Sequence, residues 1–318
     1  MINLGYYPAY GHRLKFAEGK RPRTILWQMD PLPAEDWPAE ALDVGLKAAR
    51  WKSRFALYQS SALPRWKKWG TLLRLREWAN QQCSAPGFRK ACRLINARSD
   101  GDLDWRQARG VMSNWRSIRD SHQAGWVDQY AMSTHQRVRF LAGRGISAHF
   151  IPVGTYEEMG RELGLPRHRP VGFLGNIRHN RRVQMLQRLR ERLEARGIPL
   201  VQVVDNCHGQ ARCEWLNRTR ILVSVHNFSW NPAWIRFLLA AMCGTLVVSE
   251  PMKDEHPMVA GVHYVAADLD DMPEVICQLL NEPEKIGRIT AAAADLCHRE
   301  LTLLRAVEKL ASLVTTHT

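Results

Sequence analysis

The 318-residue sequence has no apolar run long enough to cross a bilayer as a helix. Its opening stretch, MINLGYYPAYGHRLKF, lacks the apolar core and small-residue cleavage site of a secretory signal, so a cytoplasmic protein is expected. Cysteine is sparse and odd in number: seven, at 83, 92, 207, 213, 243, 277 and 297, scattered rather than paired. That pattern excludes a disulfide framework and points to reduced thiols. Cys207, His208 and Cys213 lie close together, but no second ligand pair follows at zinc-site spacing, and no metal is expected. No internal repeat is present.

Acidic residues are short in one half only. Residues 1–155 hold 25 Lys and Arg against 12 Asp and Glu, a surplus of thirteen within the total of +14, whereas residues 156–318 are nearly neutral. Nine of the twelve tryptophans (27, 37, 51, 66, 69, 78, 105, 115 and 126) also fall in the first half. This asymmetry suggests two domains, 1–155 and 156–318, the first facing a polyanion and the second an ordinary ligand. An arginine-rich surface without any such partner is the plainer alternative.

Strand candidates in the first half are 3–8, 24–30, 129–133 and 147–152, with a helix over 135–142. Residues 39–120 carry helix pattern and little strand pattern, so they read as a helical, basic insertion. Within them, 62–82 places Trp66, Trp69, Leu72, Leu73 and Trp78 roughly on one side and Arg65, Lys67, Lys68, Arg74 and Arg76 around the rest. Such a helix packs its apolar face on a core or lies on a membrane surface. Residues 94–104 read as a loop, Trp105 to Asp128 as helical, and 155–170 as an interdomain linker. Beyond it strand and helix alternate, giving a doubly wound α/β domain. Its strands are 171–174, 200–205, 221–225, 245–249 and one within 258–268. Its helices are 182–196, with Val183, Leu186, Leu189 and Leu193 on one face, then one opened by Asn231 and Pro232, then 271–281 and 283–313. The last helix has the option of returning to the first domain.

The chemistry concentrates after the strands of the second half. GNIRHNRR follows a strand and opens a helix, offering Gly175 for close backbone approach and Arg178, His179, Arg181 and Arg182 as cations. Asn231 and Pro232 begin a second helix, with Arg236 in its first two turns, and SEPMKDEHP follows a further strand. Together these loops could hold a diphosphate with helix dipoles and arginine forks.

As an ordered set, FIPVG, GFLGNIRHNRR, ILVSVHN, FLLAAMCGTLVVSEP, AGVHYV and DLDDMPEVICQLLNEPEK resemble the C-terminal half of a GT-B glycosyltransferase, with closest similarity to the CgeB-like group. The resemblance covers about residues 129–313. It implies two Rossmann-like domains, a nucleotide-sugar donor (UDP-linked) held mainly by the second, an acceptor held mainly by the first, and no tightly bound cofactor or metal. The donor site it implies comprises Gly175, Asn176, Arg178, Arg182, His226, Asn227, Asn231, Arg236 and Glu250. The chain departs from many retaining relatives at Leu239 and Asn231, where those relatives carry glutamates, one of which grips the ribose. Glu250, Asp254 and Glu255 are candidate replacements.

An inverting transfer needs a base beside the acceptor hydroxyl. Asp30, at a strand's carboxyl end before prolines, is the first candidate and His12 in the GYYPAYGH loop the second; a turn aspartate and a surface histidine are their plain readings. Trp66, Lys67, Lys68, Trp69 and Arg74 are the candidate acceptor contacts. The spread of positive charge favours DNA, with a hydroxylated base of phage type as acceptor. An anionic membrane glycolipid or lipopolysaccharide core is the alternative, and a non-catalytic nucleic-acid-binding protein on the same scaffold a third reading.

Overall fold

The computed structural model describes residues 2–4, 23–59, 69–98, 103–177, 180–203, 207–228, 230, 234–252 and 257–315. The chain divides into two units, Met1–Ile151 with Leu313–Thr318, and Pro152–Ser312.

In the first unit, strands β1 (Ile2–Leu4), β2 (Ile25–Gln28), β3 (Gln129–Met132) and β4 (His149–Phe150) form one parallel sheet in that order. All four residues of β2 are buried, as a strand covered on both faces requires. Thr24 ties β2 to β3, its amide donating to Asp128 Oδ2 at 2.6 Å and its carbonyl accepting from the Gln129 amide at 3.2 Å.

Between β2 and β3 lie three helices, α1 (Ala39–Gln59), α2 (Trp69–Asn96) and α3 (Trp105–Gln123), which pack on one another. Small residues set the approach. A methyl group on Gly45 would sit 2.8 Å from Met112 of α3, and one on Gly87 of α2 would sit 2.8 Å from Ala48 of α1. Helix α2 runs through Pro86 and on to Asn96, further than residues 62–82 suggest. Ala85, Phe88, Ala91, Cys92 and Ile95 are buried at helical spacing, and that packing outweighs the proline's lost hydrogen bond. Helix α3 opens with a capping box between Asp104 and Gln107. It is followed, after β3, by α4 (His135–Ala142).

The second unit is a five-stranded parallel sheet, ordered β6, β5, β7, β8, β9, from β5 (Arg169–Leu174), β6 (Leu200–Val203), β7 (Thr219–Ser224), β8 (Leu246–Ser249) and β9 (Val265–Ala266). Alternate residues feed two cores. Ile221, Val223, Leu246 and Val248 join Leu186, Leu189 and Leu193 of α5 (Asn180–Glu194) and Met272, Ile276 and Leu279 of α8 (Met272–Leu280). Leu222 and Val247 face the other way, onto α6 (Gly209–Asn217), α7 (Trp234–Met242) and α9 (Pro283–Arg299). The sheet is therefore covered on both faces, as doubly wound folds require.

Four features differ from the sequence reading. Helix α6 is an additional crossover, held by buried Cys213, Leu216 and Asn217 where the loose Cys/His cluster is found. Cys213 faces Cys243, sulfur to sulfur at 3.9 Å, and no metal cluster occurs among the described residues. The apolar face of α5 begins with Arg182, 2% exposed, while Val183 points outward at 40%. Residues 155–169 fold onto the second unit instead of bridging loosely: Asn217 accepts from the Leu163 amide at 2.6 Å, and Arg167 donates to the Thr219 and Cys243 carbonyls. Finally, 283–313 is two helices, α9 and α10 (Leu303–Thr315). The break forms because Thr155 takes the Leu301 carbonyl with its amide (2.6 Å) and its hydroxyl (3.0 Å), and offers its own carbonyl to the Leu303 amide. No described helix is long and apolar enough to cross a membrane.

A methyl group on Gly154 would stand 2.2 Å from the Thr302 backbone, which no side-chain rotation relieves. Gly154→Ala is therefore expected to lower stability by about 1–3 kcal/mol. Gly110→Ala, on α3 with open space around it, is expected to raise stability by about 0.5–1 kcal/mol. Chemical denaturation of the two variants beside the parent checks both, and equal midpoints would contradict the packing described for Gly154.

Candidate active site

Strand β5 has β6 on one side and β7 on the other, so the chain reverses its winding there. In open α/β sheets the crevice beyond the carboxyl ends of strands at such a point is where ligands bind. Gly175 follows β5, Val225 and His226 follow β7, and Glu250 follows β8.

These strand ends carry a buried charged cluster. Glu250, 7% exposed, pairs through both carboxylate oxygens with the Arg181 guanidinium and accepts from the His226 amide at 2.7 Å. Arg181 also donates to the His226 carbonyl at 2.9 Å. One carboxylate thus fastens the start of α5 and the loop after β7 to the end of β8.

Two further arginines stand beside this pair without a carboxylate of their own among the described residues. Arg182 donates to the Val225 carbonyl at 2.9 Å and the Asn176 carbonyl at 2.6 Å. Arg236, on α7, donates to Ser224 Oγ at 3.1 Å. Both guanidinium carbons lie over the ring of Phe173, 5.7 and 5.2 Å from its centre. Burial, and then the neighbouring Arg236, lowers the Arg182 pKa to about 9; burial lowers that of Arg236 to about 10. Both stay charged at neutral pH. Three guanidinium groups against one carboxylate leave two positive charges over, among the described residues.

Gly175 is required here. Its φ is +142°, and a methyl group on it would sit 2.8 Å from the terminal nitrogen of Arg236. The bare backbone lets the guanidinium come up against the β5 turn. His226 is 1% exposed, and burial holds its pKa down to about 4, with Arg236 also acting against its protonation and Glu250 partly opposing. Its Nε2 lies 3.2 Å from Ser249 Oγ.

The structure therefore brings together Gly175, Asn176, Arg182, His226, Asn227, Arg236 and Glu250 at neighbouring strand ends; Arg178 and Asn231 lie outside the described residues. Asp254 and Glu255 do too. Arg181, one of the cations the sequence offers, joins the cluster as the partner of Glu250, and Phe173, Ser224 and Ser249, which the sequence reading does not name, complete it. Ser224 and Ser249 are register partners on β7 and β8, and a serine ending two consecutive apolar runs is the signal that marks them. Glu250 is already engaged by Arg181, so among the described residues no free carboxylate replaces the ribose-gripping glutamate that the resemblance expects at Leu239 or Asn231.

In the first unit, Asp30 is exposed two residues beyond β2, with Gln28 Nε2 3.5 Å from its carboxylate. His12, Trp66, Lys67 and Lys68 lie outside the described residues, and Trp69 and Arg74 fall in α2 where the backbone alone is described.

The His226 shift gives stability a pH dependence. An unfolded histidine protonates near pH 6.5, this one only near 4, so between those values the unfolded chain binds more protons and stability falls as pH is lowered. The expected loss between pH 7 and pH 5 is about 2 kcal/mol from this group. Urea unfolding at the two pH values, on the parent and on His226→Gln, checks it. A slope unchanged in the variant would assign the effect elsewhere.

Residues 176–312 match the family described as "Glycosyl transferase-like". Among curated proteins none matches the chain in sequence. Solved structures match in fold. The S. aureus TarM mutant in complex with fondaparinux, alpha-GlcNAc-glycerol and UDP is 12% identical, with a TM-score of 0.52 over 64% of this chain and 47% of that one. Anabaena HepE in complex with UDP and glucose is 11% identical, with a TM-score of 0.52 over 92% and 99%. WaaG, a glycosyltransferase involved in lipopolysaccharide biosynthesis, is 12% identical, with a TM-score of 0.51 over 96% and 81%. The chain spans about half the length of TarM. At these identities the likeness is one of fold. The chain thus matches the glycosyl transferase-like family over residues 176–312 and has two Rossmann-like units of the GT-B type.

Proposed function

We propose that the protein is a glycosyltransferase that takes its sugar from a UDP-linked donor bound at the carboxyl ends of β5, β7 and β8. The observation that carries this reading is the buried Arg182–Arg236 pair, which has no carboxylate partner among the described residues. Burying a guanidinium costs several kcal/mol, and an anion placed between the two offsets that cost. A diphosphate fits best, because each planar fork matches phosphate oxygens and the glycine turn lets the backbone approach them. UDP, present in the TarM and HepE structures, is the first diphosphate to try.

In this reading Gly175, Asn176, Arg178, Arg182, His226, Asn227, Asn231 and Arg236 face the donor, and Glu250 positions the loop that carries His226. The arginines also stabilise the charge that grows on the leaving diphosphate, so the transfer is proposed to be metal-independent. Asp30 is the proposed base of an inverting transfer, with His12 as the alternative. Placement in the CgeB-like group rests on the order of motifs alone.

The basic first half suits an anionic acceptor. The structures named above support no DNA acceptor, so the hydroxylated DNA base expected from charge gives way here to an anionic glycan or glycolipid. That is the class suggested by WaaG, described as acting in lipopolysaccharide biosynthesis.

Titration calorimetry with UDP tests the donor half of this reading. Binding is expected, and Arg182→Lys and Arg236→Lys should each weaken it by about ten- to a hundredfold, the loss of one charge-assisted fork. Parent-like affinity in both variants would place the diphosphate elsewhere. Binding without sugar turnover on any anionic glycan or DNA would favour the non-catalytic reading.

A further inference from the structure

Around the arginine cluster, the described side chains mostly donate hydrogen bonds, yet two buried atoms there have no partner among the described residues, His226 Nδ1 and Asn227 Oδ1. The state of the imidazole follows from its neighbours. Ser249 Oγ lies 3.0 Å from the Glu250 carbonyl and 3.3 Å from the Ser224 carbonyl, both of which can only accept. The single serine proton goes to one of them. The hydroxyl oxygen then accepts from His226 Nε2 at 3.2 Å, so Nε2 carries the ring proton and Nδ1 carries a lone pair. The opposite tautomer would leave a buried N–H with no acceptor, which folded proteins tolerate less well than an unfilled lone pair.

The charges around the ring favour the same state. Arg181 and Arg236 oppose a second proton on the ring and Glu250 favours one, and burial outweighs all three. His226 is therefore a neutral, fixed acceptor.

A bare acceptor that is 1% exposed does not suit phosphate oxygens, which only accept. It suits a hydroxyl. We infer that His226 Nδ1, oriented by Ser249, accepts a hydrogen bond from a hydroxyl of the nucleotide-sugar donor. The inference rests on the donor reading above. Ribose and the transferred sugar both offer such hydroxyls, and ligand variants separate them.

The experiment measures affinities of UDP-glucose, UDP and 2′-deoxy-UDP for the parent, His226→Gln and His226→Asn. Glutamine keeps a donor near the Nε2 position and loses the acceptor at Nδ1; asparagine keeps an oxygen near Nδ1. His226→Gln is expected to bind UDP-glucose about tenfold more weakly, the size of one neutral hydrogen bond. His226→Asn should restore most of that affinity. If the loss persists with UDP and vanishes with 2′-deoxy-UDP, the partner is the ribose 2′-hydroxyl. A loss that persists with both nucleotides but is rescued by asparagine points to the 3′-hydroxyl. One that vanishes with UDP points to the sugar. Unchanged affinity in His226→Gln overturns the inference and leaves the donor site standing, and so does an equal loss for every ligand that asparagine does not rescue, because that is a structural effect. A parent that binds no nucleotide overturns the donor reading itself.

Discussion

The Glu250 carboxylate holds three strand-end segments together, and the character of the site depends on it. Its oxygens take the Arg181 fork and the His226 amide, so the start of α5 and the loop after β7 are referenced to the end of β8. Because Arg181 pairs with Glu250, no second carboxylate among the described residues pairs with Arg182 or Arg236. Among the described residues, the positive surplus of the site is therefore a consequence of how its one acid is spent. Residues 156–318 are close to neutral overall, so this surplus is local.

The fold explains why such a surplus is tolerated. Parallel strands covered on both faces leave polar work only at their ends, and the reversal at β5 opens a crevice between two of those ends. Arg182 takes a place in the stripe that buries Leu186, Leu189 and Leu193. Its guanidinium is compensated by carbonyls from the β5 and β7 ends and by the face of Phe173. These contacts satisfy hydrogen bonds but do not cancel charge. A site that holds its cations this way is organised before any anion arrives, which lowers the ordering cost of binding.

Much of this was legible in the sequence, and the misses have physical causes. Apolar runs such as 221–225 and 245–249 are readable because both-face burial removes any polar alternation. Gly175 was readable from its place after a strand, and Arg236 from its distance beyond the Asn-Pro helix start. The pairing of Arg181 with Glu250 was not, since 69 residues separate them and only the strand order makes them neighbours. The outward turn of Val183 was missed because hydrophobic periodicity assigns a stripe to apolar residues, whereas here an arginine fills the inward position near the crevice. The break between α9 and α10 was invisible for the same kind of reason: helix propensity continues through 300–302, and the competing partner is Thr155, far upstream.

The absence of a glutamate at Leu239 then has a consistent electrostatic sense. Leu239 is 8% exposed in an apolar cluster with Trp234, Phe237 and Leu238, surroundings that disfavour a carboxylate. An additional acid near Arg236 would also cancel part of the surplus that favours a diphosphate. A neutral imidazole avoids both costs, since it accepts a hydrogen bond while leaving the two guanidinium charges undiminished. In the proposed reading, charge recognition and hydroxyl recognition fall to different side chains at adjoining strand ends. The register pairing of Ser224 with Ser249 links them, because Ser224 meets Arg236 while Ser249 meets His226.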